Sequence, residues 1–127
     1  MSRVIIGFTG HRDCTAAPEL LHALAQEFPG ALWKHGGAIG FDTQVKQFAL
    51  QYGAQYGGIE QDPILPNYAV YGKAAPIVRN HIIVDASDFL VACWDGRTTG
   101  GTFETRKYAQ LHEKNIRDWS PDPLCFI

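Results

Sequence analysis

Apolar positions along the chain follow two alternating patterns. Short β-branched and apolar runs at Arg3–Phe8, Ala31–Trp33 and Phe89–Trp94 read as strands, and Gln55–Ile59 and Asn115–Trp119 read as shorter ones. Phe89–Trp94 (FLVACW) is apolar throughout, which suits a strand buried on both faces of a parallel sheet. Between these runs the apolar residues recur at helical spacing. Thr15–Phe28 places Leu20, Leu21, Leu24 and Phe28 on one face, with a cap at Thr15 or Ala16, Pro18 near the first turn and Pro29-Gly30 as the stop. A second helix starts near Asp42 as its N-cap, buries Val45, Phe48, Ala49 and Tyr52, and ends on Gly53 as a left-handed residue. Asp62–Tyr71 reads as a long loop, of the length that is functional or mobile in compact domains. Lys73–Ala86 resumes helical character, with Pro76 in its first turn and Ile77, Ile82 and Ile83 facing the core. A last helix runs from about Thr102 to Glu113, with Phe103, Lys107, Tyr108 and Leu111 near helical spacing. The apolar end of the tail, Ser120–Ile127, is expected to dock on this subunit or on a neighbour.

Strands alternating with helices imply an α/β fold, a Rossmann-like three-layer αβα sandwich. A mainly parallel five-stranded sheet in the order 3-2-1-4-5 brings the loops after the first and fourth strands together at its C-terminal edge, where such sheets bind ligands. Those loops are Thr9–Asp13 and Asp95–Gly101. Both are rich in residues that approach an anion. From Asp95 to Thr102 the chain has three glycines and three threonines, and it then enters a helix N-terminus, whose N–H groups and dipole favour a phosphate. The alternative is an ordinary βα turn with glycines for tight packing.

Composition narrows the ligand. Lys plus Arg number 11 against 13 Asp plus Glu, so no electrostatic footprint exists for duplex nucleic acid or an anionic membrane. At 127 residues one domain is expected. Cys14, Cys93 and Cys125 form no CxxC pair, and the five histidines match no ligand spacing, so neither a metal site nor a cofactor is expected. No run approaches transmembrane length and the start does not read as a signal peptide, which gives a cytoplasmic expectation. GFTGHR is neither a GxGxxG fingerprint nor a Walker A loop, and no GxSxG elbow occurs.

Three of the six arginines fall near the expected cleft: Arg12, Arg79 and Arg97. The guanidinium fork suits phosphate, although each also reads as a solvated surface residue. The ligand-binding candidates are Gly10, His11 and Arg12; Gly36, Gly37 and Asp42; Asn80; and Asp95, Gly96, Arg97, Thr99, Gly100, Gly101 and Thr102. Arg79 and Glu104 are the catalytic candidates. Glu104, in the first turn of the last helix, either offsets the helix dipole or stabilises an oxocarbenium-like sugar during N-glycosidic cleavage. Asp95 suits acceptance of hydrogen bonds from ribose hydroxyls.

The ordered series Gly7–Arg12 (GFTGHR), His35–Asp42 (HGGAIGFD), Tyr71–Asn80 (YGKAAPIVRN) and Trp94–Thr102 (WDGRTTGGT) resembles the SLOG superfamily. That superfamily joins the Lonely Guy enzymes, once misnamed lysine decarboxylases, with the DNA-processing protein A domain and small bacterial and phage nucleotide-binding proteins. The likeness spans roughly residues 4–112 and is greatest to the small members. It implies a Rossmann-like fold that binds nucleotides or nucleotide-derived ligands, often as a homodimer. In the enzymes, which hydrolyse nucleoside 5′-monophosphates to base and ribose 5-phosphate, the loop reads PGGxGTxxE after an arginine in the preceding helix. Arg79 matches that arginine, and Gly101 and Thr102 match the GT pair. Thr105 occupies the position of the catalytic glutamate, with Glu104 one residue early, and Asp95-Gly96-Arg97 replaces the opening Pro-Gly-Gly. The expectation is therefore nucleotide or sugar-phosphate binding, with phosphoribohydrolase activity as the alternative. Single-stranded DNA binding is disfavoured for want of a basic groove.

Overall fold

In the computed structural model, which describes residues 3–123, β4 (Phe89–Cys93) is buried at all five positions. A strand with two apolar faces needs cover on both sides, and helices supply it. β4 lies in a wholly parallel five-stranded sheet with β1 (Ile5–Gly10), β2 (Leu32–His35), β3 (Glu60–Pro63) and β5 (Asn115–Trp119), in the expected order 3-2-1-4-5. On one face α1 (Pro18–Glu27) and α2 (Phe41–Tyr52) set Leu21, Leu24, Phe41, Val45 and Phe48 against Ile6, Phe8, Trp33 and Val91. On the other, α4 (Ala75–Ala86) and α5 (Gly101–Leu111) contribute Val84 and Ala109, which pack with Leu90. The fold is Rossmann-like. No helix among the described residues is long and apolar enough to cross a membrane.

Several elements differ from the reading of the sequence. The third strand is Glu60–Pro63, not Gln55–Ile59. Residues Gly53–Tyr56 form a 3₁₀ turn, and Gly57 and Gly58 follow it with φ near 80° and 92°, a backbone no strand adopts. β3 is polar because it is an edge, where charged side chains are expected and Pro63 at its end costs little. Arg3 pairs with Glu60 and Lys34 with Asp62 along that edge. Gly53 is right-handed, and Gly57 is the left-handed stop. Asp42 is not the cap of α2; the cap is Gly40, and the Asp42 side chain folds back onto the preceding loop. Within the 62–71 loop lies a single helical turn, α3 (Tyr68–Tyr71), capped by Asn67.

Helix faces were harder to read than helix positions. Ile77 and Ile82 of α4 are exposed, and Ile83 alone of the three expected isoleucines is buried. Arg79 and Asn80 lie one turn before Ile83 and Val84, so the face that meets the sheet also carries them to its C-terminal edge. On α5 the buried face is Thr102, Thr105, Arg106 and Ala109, while Leu111 is exposed. Two of the three polar residues on that face are satisfied by hydrogen bonds: the Thr105 hydroxyl donates to the Gly101 carbonyl at 2.6 Å, and Arg106 Nε and Nη2 donate to the two carboxylate oxygens of Asp118, each at 2.7 Å. The Arg106 guanidinium also lies 3.8 Å from the Trp94 ring centroid, a cation–π contact. Beyond β5, Pro121 bridges to Ala16 and the Asp122 N–H donates to the Thr15 carbonyl at 2.7 Å. The apolar end expected to dock, Leu124 to Ile127, lies outside the described residues.

The Arg106–Asp118 pair thus ties α5 to the edge strand. Replacing Asp118 by alanine strands a buried guanidinium. Removing one partner of a fully buried pair costs about 3–5 kcal/mol, and because Asp118 is partly exposed a loss of about 2 kcal/mol is expected in urea unfolding. A change under about 0.5 kcal/mol, the scale of surface pairs, would show that the pair does not hold α5 to β5.

Candidate functional site

β1 and β4 are neighbours, but the chain leaves β1 for the α1 face and β4 for the α5 face. Their loops separate and open a cleft of about 710 Å³ at the C-terminal edge of the sheet. Four segments expected from the sequence meet there. Gly10, His11 and Arg12 come from the β1 loop, and Gly36, Gly37 and Asp42 from the β2 loop and the start of α2. Arg79 and Asn80 come from α4, and Arg97, Gly100, Gly101 and Thr102 from the β4 loop and α5.

The α5 end of the cleft is backbone. Gly100 caps the helix at φ 92° and ψ 176°, a conformation essentially confined to glycine, and supplies no side-chain cap. The first N–H groups of α5 therefore stand at the cleft wall, with the Asn80 amide nitrogen 3.9 Å from where a Gly101 Cβ would lie. Trp94 steadies the loop from behind, its indole N–H donating to the Arg97 carbonyl at 2.8 Å. Arg97 folds onto Asp95: Nε donates to both carboxylate oxygens at 3.0 Å and Nη2 to Oδ2 at 2.6 Å. This guanidinium holds the Asp95 carboxyl well below its usual range.

His11 sits beneath that pair. Its buried Nε2 accepts the Asp95 N–H at 3.3 Å, and Asp95 Oδ1 is 3.1 Å away. Burial, and then the Arg97 charge, pull the imidazole below 6.5 despite the carboxylates of Asp95 and Asp13. Through its contact with the Asp95 N–H, the ring braces the β4 loop against the β1 loop.

The opposite wall is built on Gly36. Arg79 donates from Nη1 to the Gly36 carbonyl and from Nε to Asn80 Oδ1 at 2.8 Å. A Cβ on Gly36 would lie 2.2 Å from Nη1 and 2.5 Å from Cζ, so the guanidinium rests where a side chain would be. From the other side Asp42 Oδ2 accepts the N–H groups of Gly36 at 3.1 Å and Ala38 at 3.3 Å. Asp42 Oδ1 is buried with no hydrogen-bond partner among the described residues. Burial dominates and raises the carboxyl above 3.8, against the lowering effects of the Ala38 N–H, His35, Arg79 and the Gly36 N–H. His35 completes the loop: its Nδ1 accepts the Gly37 N–H at 3.1 Å, which leaves Nε2 to donate to Gln61 Oε1 at 2.9 Å.

Four candidates stand off the cleft lining: Asp95, Gly96, Thr99 and Glu104. Asp95 is spent on Arg97 and His11. Glu104 is exposed, and at two residues past Thr102 it lies about 200° around the helix from that lining residue. Sequence reading passed over Ile39, Leu65, Pro66 and Tyr68, which also line the cleft. The one signal for the last three was the length of the loop that carries them. Among the described residues no group of three or more His, Cys, Asp or Glu side chains could hold a metal ion. No protein-family model matches the chain, and no curated protein matches it.

The raised Asp42 carboxyl has a consequence for stability. Its contribution is complete below about pH 3.8 and is lost as pH rises through the higher folded-state value, because the folded form holds the proton longer. Asp42→Asn keeps an acceptor for the two N–H groups and removes that titration. Across pH 4 to pH 8 the urea midpoints are expected to move in favour of the variant as the folded-state carboxyl ionises, and then to level off. A constant difference across that range would contradict the assignment.

Proposed function

We propose that the cleft binds a nucleoside phosphate or a nucleotide-derived ligand, with a phosphate at the N-terminus of α5. The observation that carries this reading is the convergence of the uncapped Gly100–Gly101–Thr102 backbone with Arg12, Arg79 and Arg97 in one cleft. Backbone N–H groups at a helix start and guanidinium forks are the two commonest means of holding a phosphate. Asp95 offsets Arg97, while Arg12 and Arg79 have no carboxylate within ion-pair distance among the described residues. Arg12 and Arg79 thus stand in the cleft without an ion pair, beside the lining carboxyls of Asp13 and Asp42.

The resemblance to the SLOG superfamily supports the same ligand class. Membership of that superfamily, a symmetric homodimer and a cytoplasmic location belong to this proposal. So does a small-molecule ligand in preference to a nucleic acid. Cleavage of a nucleoside 5′-monophosphate has less support, because Glu104 faces away from the cleft lining and the buried Thr105 hydroxyl is engaged by Gly101.

Thermal unfolding against a panel of nucleoside mono-, di- and triphosphates and sugar phosphates tests the proposal. A ligand at about a hundred times its dissociation constant stabilises by roughly 2.7 kcal/mol, which for a domain of this size is a rise of roughly 10 °C. No shift with any member at millimolar concentration would overturn it. Residue roles separate in the same assay. Arg12→Ala is expected to weaken binding by about tenfold or more, the scale of one charged hydrogen bond, with little change in unliganded stability. Glu104→Gln is expected to leave affinity within about twofold.

A further inference from the structure

One wall of the cleft is unlike the rest. Ile39, Leu65 and Tyr68 are large apolar side chains, each 60% or more exposed, and all three line the cleft. Scattered exposed apolar residues are ordinary on protein surfaces. These three are not scattered. They arrive from two different segments, the β2 loop and the stretch after β3, and face into the same concavity as the arginines and the α5 N-terminus.

The wall is also held in place. The Ile64 N–H donates to the His35 carbonyl at 2.8 Å, so the β2–β3 pairing continues to the residue before Leu65. Leu65 then lies against Gly37, where a Cβ would come within 2.8 Å of its Cδ2. Asn67 Oδ1 caps α3 by accepting the Val70 N–H at 3.2 Å, which sets Tyr68 in the first turn. Apolar side chains tethered in this way to a polar cleft suit a ligand with one charged end and one flat apolar end.

We propose that Tyr68, Leu65 and Ile39 form the seat for the base, so that the site selects nucleotides over sugar phosphates that lack one. The inference rests on the reading of the cleft as a nucleotide site and goes further by assigning its second half. A phosphate fills only a small part of a cleft of about 710 Å³, a volume in the ordinary range for small-molecule sites. A heterocycle has apolar faces and polar edges. Its face matches the Tyr68 ring, which stacks on any base, and its edges stay open to solvent or to the cleft's polar groups.

Titration calorimetry with AMP, GMP, CMP, UMP and ribose 5-phosphate tests the assignment on wild type, Tyr68→Ala and Tyr68→Phe. The best-bound nucleotide is expected to bind wild type about tenfold or more tightly than ribose 5-phosphate. Tyr68→Ala should remove about tenfold from the nucleotide and nothing from ribose 5-phosphate, while Tyr68→Phe stays near wild type. Because Tyr68 is exposed, melting temperatures of both variants should match wild type. Equal affinity of wild type for nucleotides and ribose 5-phosphate overturns the base seat and leaves the phosphate site standing. Equal weakening of both ligand types by Tyr68→Ala overturns it as well. Absence of binding by all five compounds overturns the base seat, and the nucleotide reading falls with it only if the di- and triphosphates of the thermal panel also fail to bind.

Discussion

The structure depends on the complete burial of β4. Five consecutive apolar residues with no exposed face must sit between two layers of helices, and the chain supplies those layers by sending α1 and α2 to one side and α4 and α5 to the other. The change of side falls between β1 and β4, and the loops that follow them are forced apart. The cleft is thus a by-product of covering the core. What the chain adds is the choice of residues that stand around it: glycines on two sides, arginines from three segments, and an apolar wall from the β2 loop and the stretch after β3.

Polar groups inside this architecture are paired with care. Arg106 is buried on a helix face that apolar residues would usually fill, and Asp118 and Trp94 match it in charge and shape. Thr105 bonds to its own helix. His35 and His11 are both buried: both ring nitrogens of His35 are engaged, by Gln61 and Gly37, and Nε2 of His11 is engaged by Asp95. Two buried groups are exceptions: the Trp33 indole N–H has no partner among the described residues, and Asp42 has one oxygen holding two N–H groups and the other unpartnered among those residues. An unmatched carboxyl oxygen beside a cleft is costly, and it persists here at the point where the Gly36 loop must be held rigid.

Legibility in the sequence followed the physics of each signal. β4 and the strand order were readable because an unbroken apolar run and alternating elements leave few arrangements. Arg79 was readable because it interrupts an apolar helix. The faces of α4 and α5 were not, since apolar content marks the buried side only when the buried residues are apolar, and on α5 Thr102, Thr105 and Arg106 are not. β3 was misplaced for a related reason: an edge strand is held by backbone pairing with β2, and EQDP carries no side-chain pattern that announces it. The Leu65–Tyr68 wall escaped notice because its residues are apolar in a loop, where composition alone cannot separate a buried contact from one offered to a ligand.

The contact between Gly36 and Arg79 ties together two positions 43 residues apart. With arginine at 79, no residue larger than glycine fits at 36 without displacing the guanidinium. With a short residue at 79, that demand vanishes. The order of substitution therefore matters: a chain can lose Arg79 first and Gly36 afterwards, while the reverse route passes through an intermediate in which the guanidinium must leave its place against the Gly36 loop. Related sequences that depart from arginine at this helix position should be the ones that tolerate side chains in the loop, and a functional change at the cleft would leave its trace as a paired exchange.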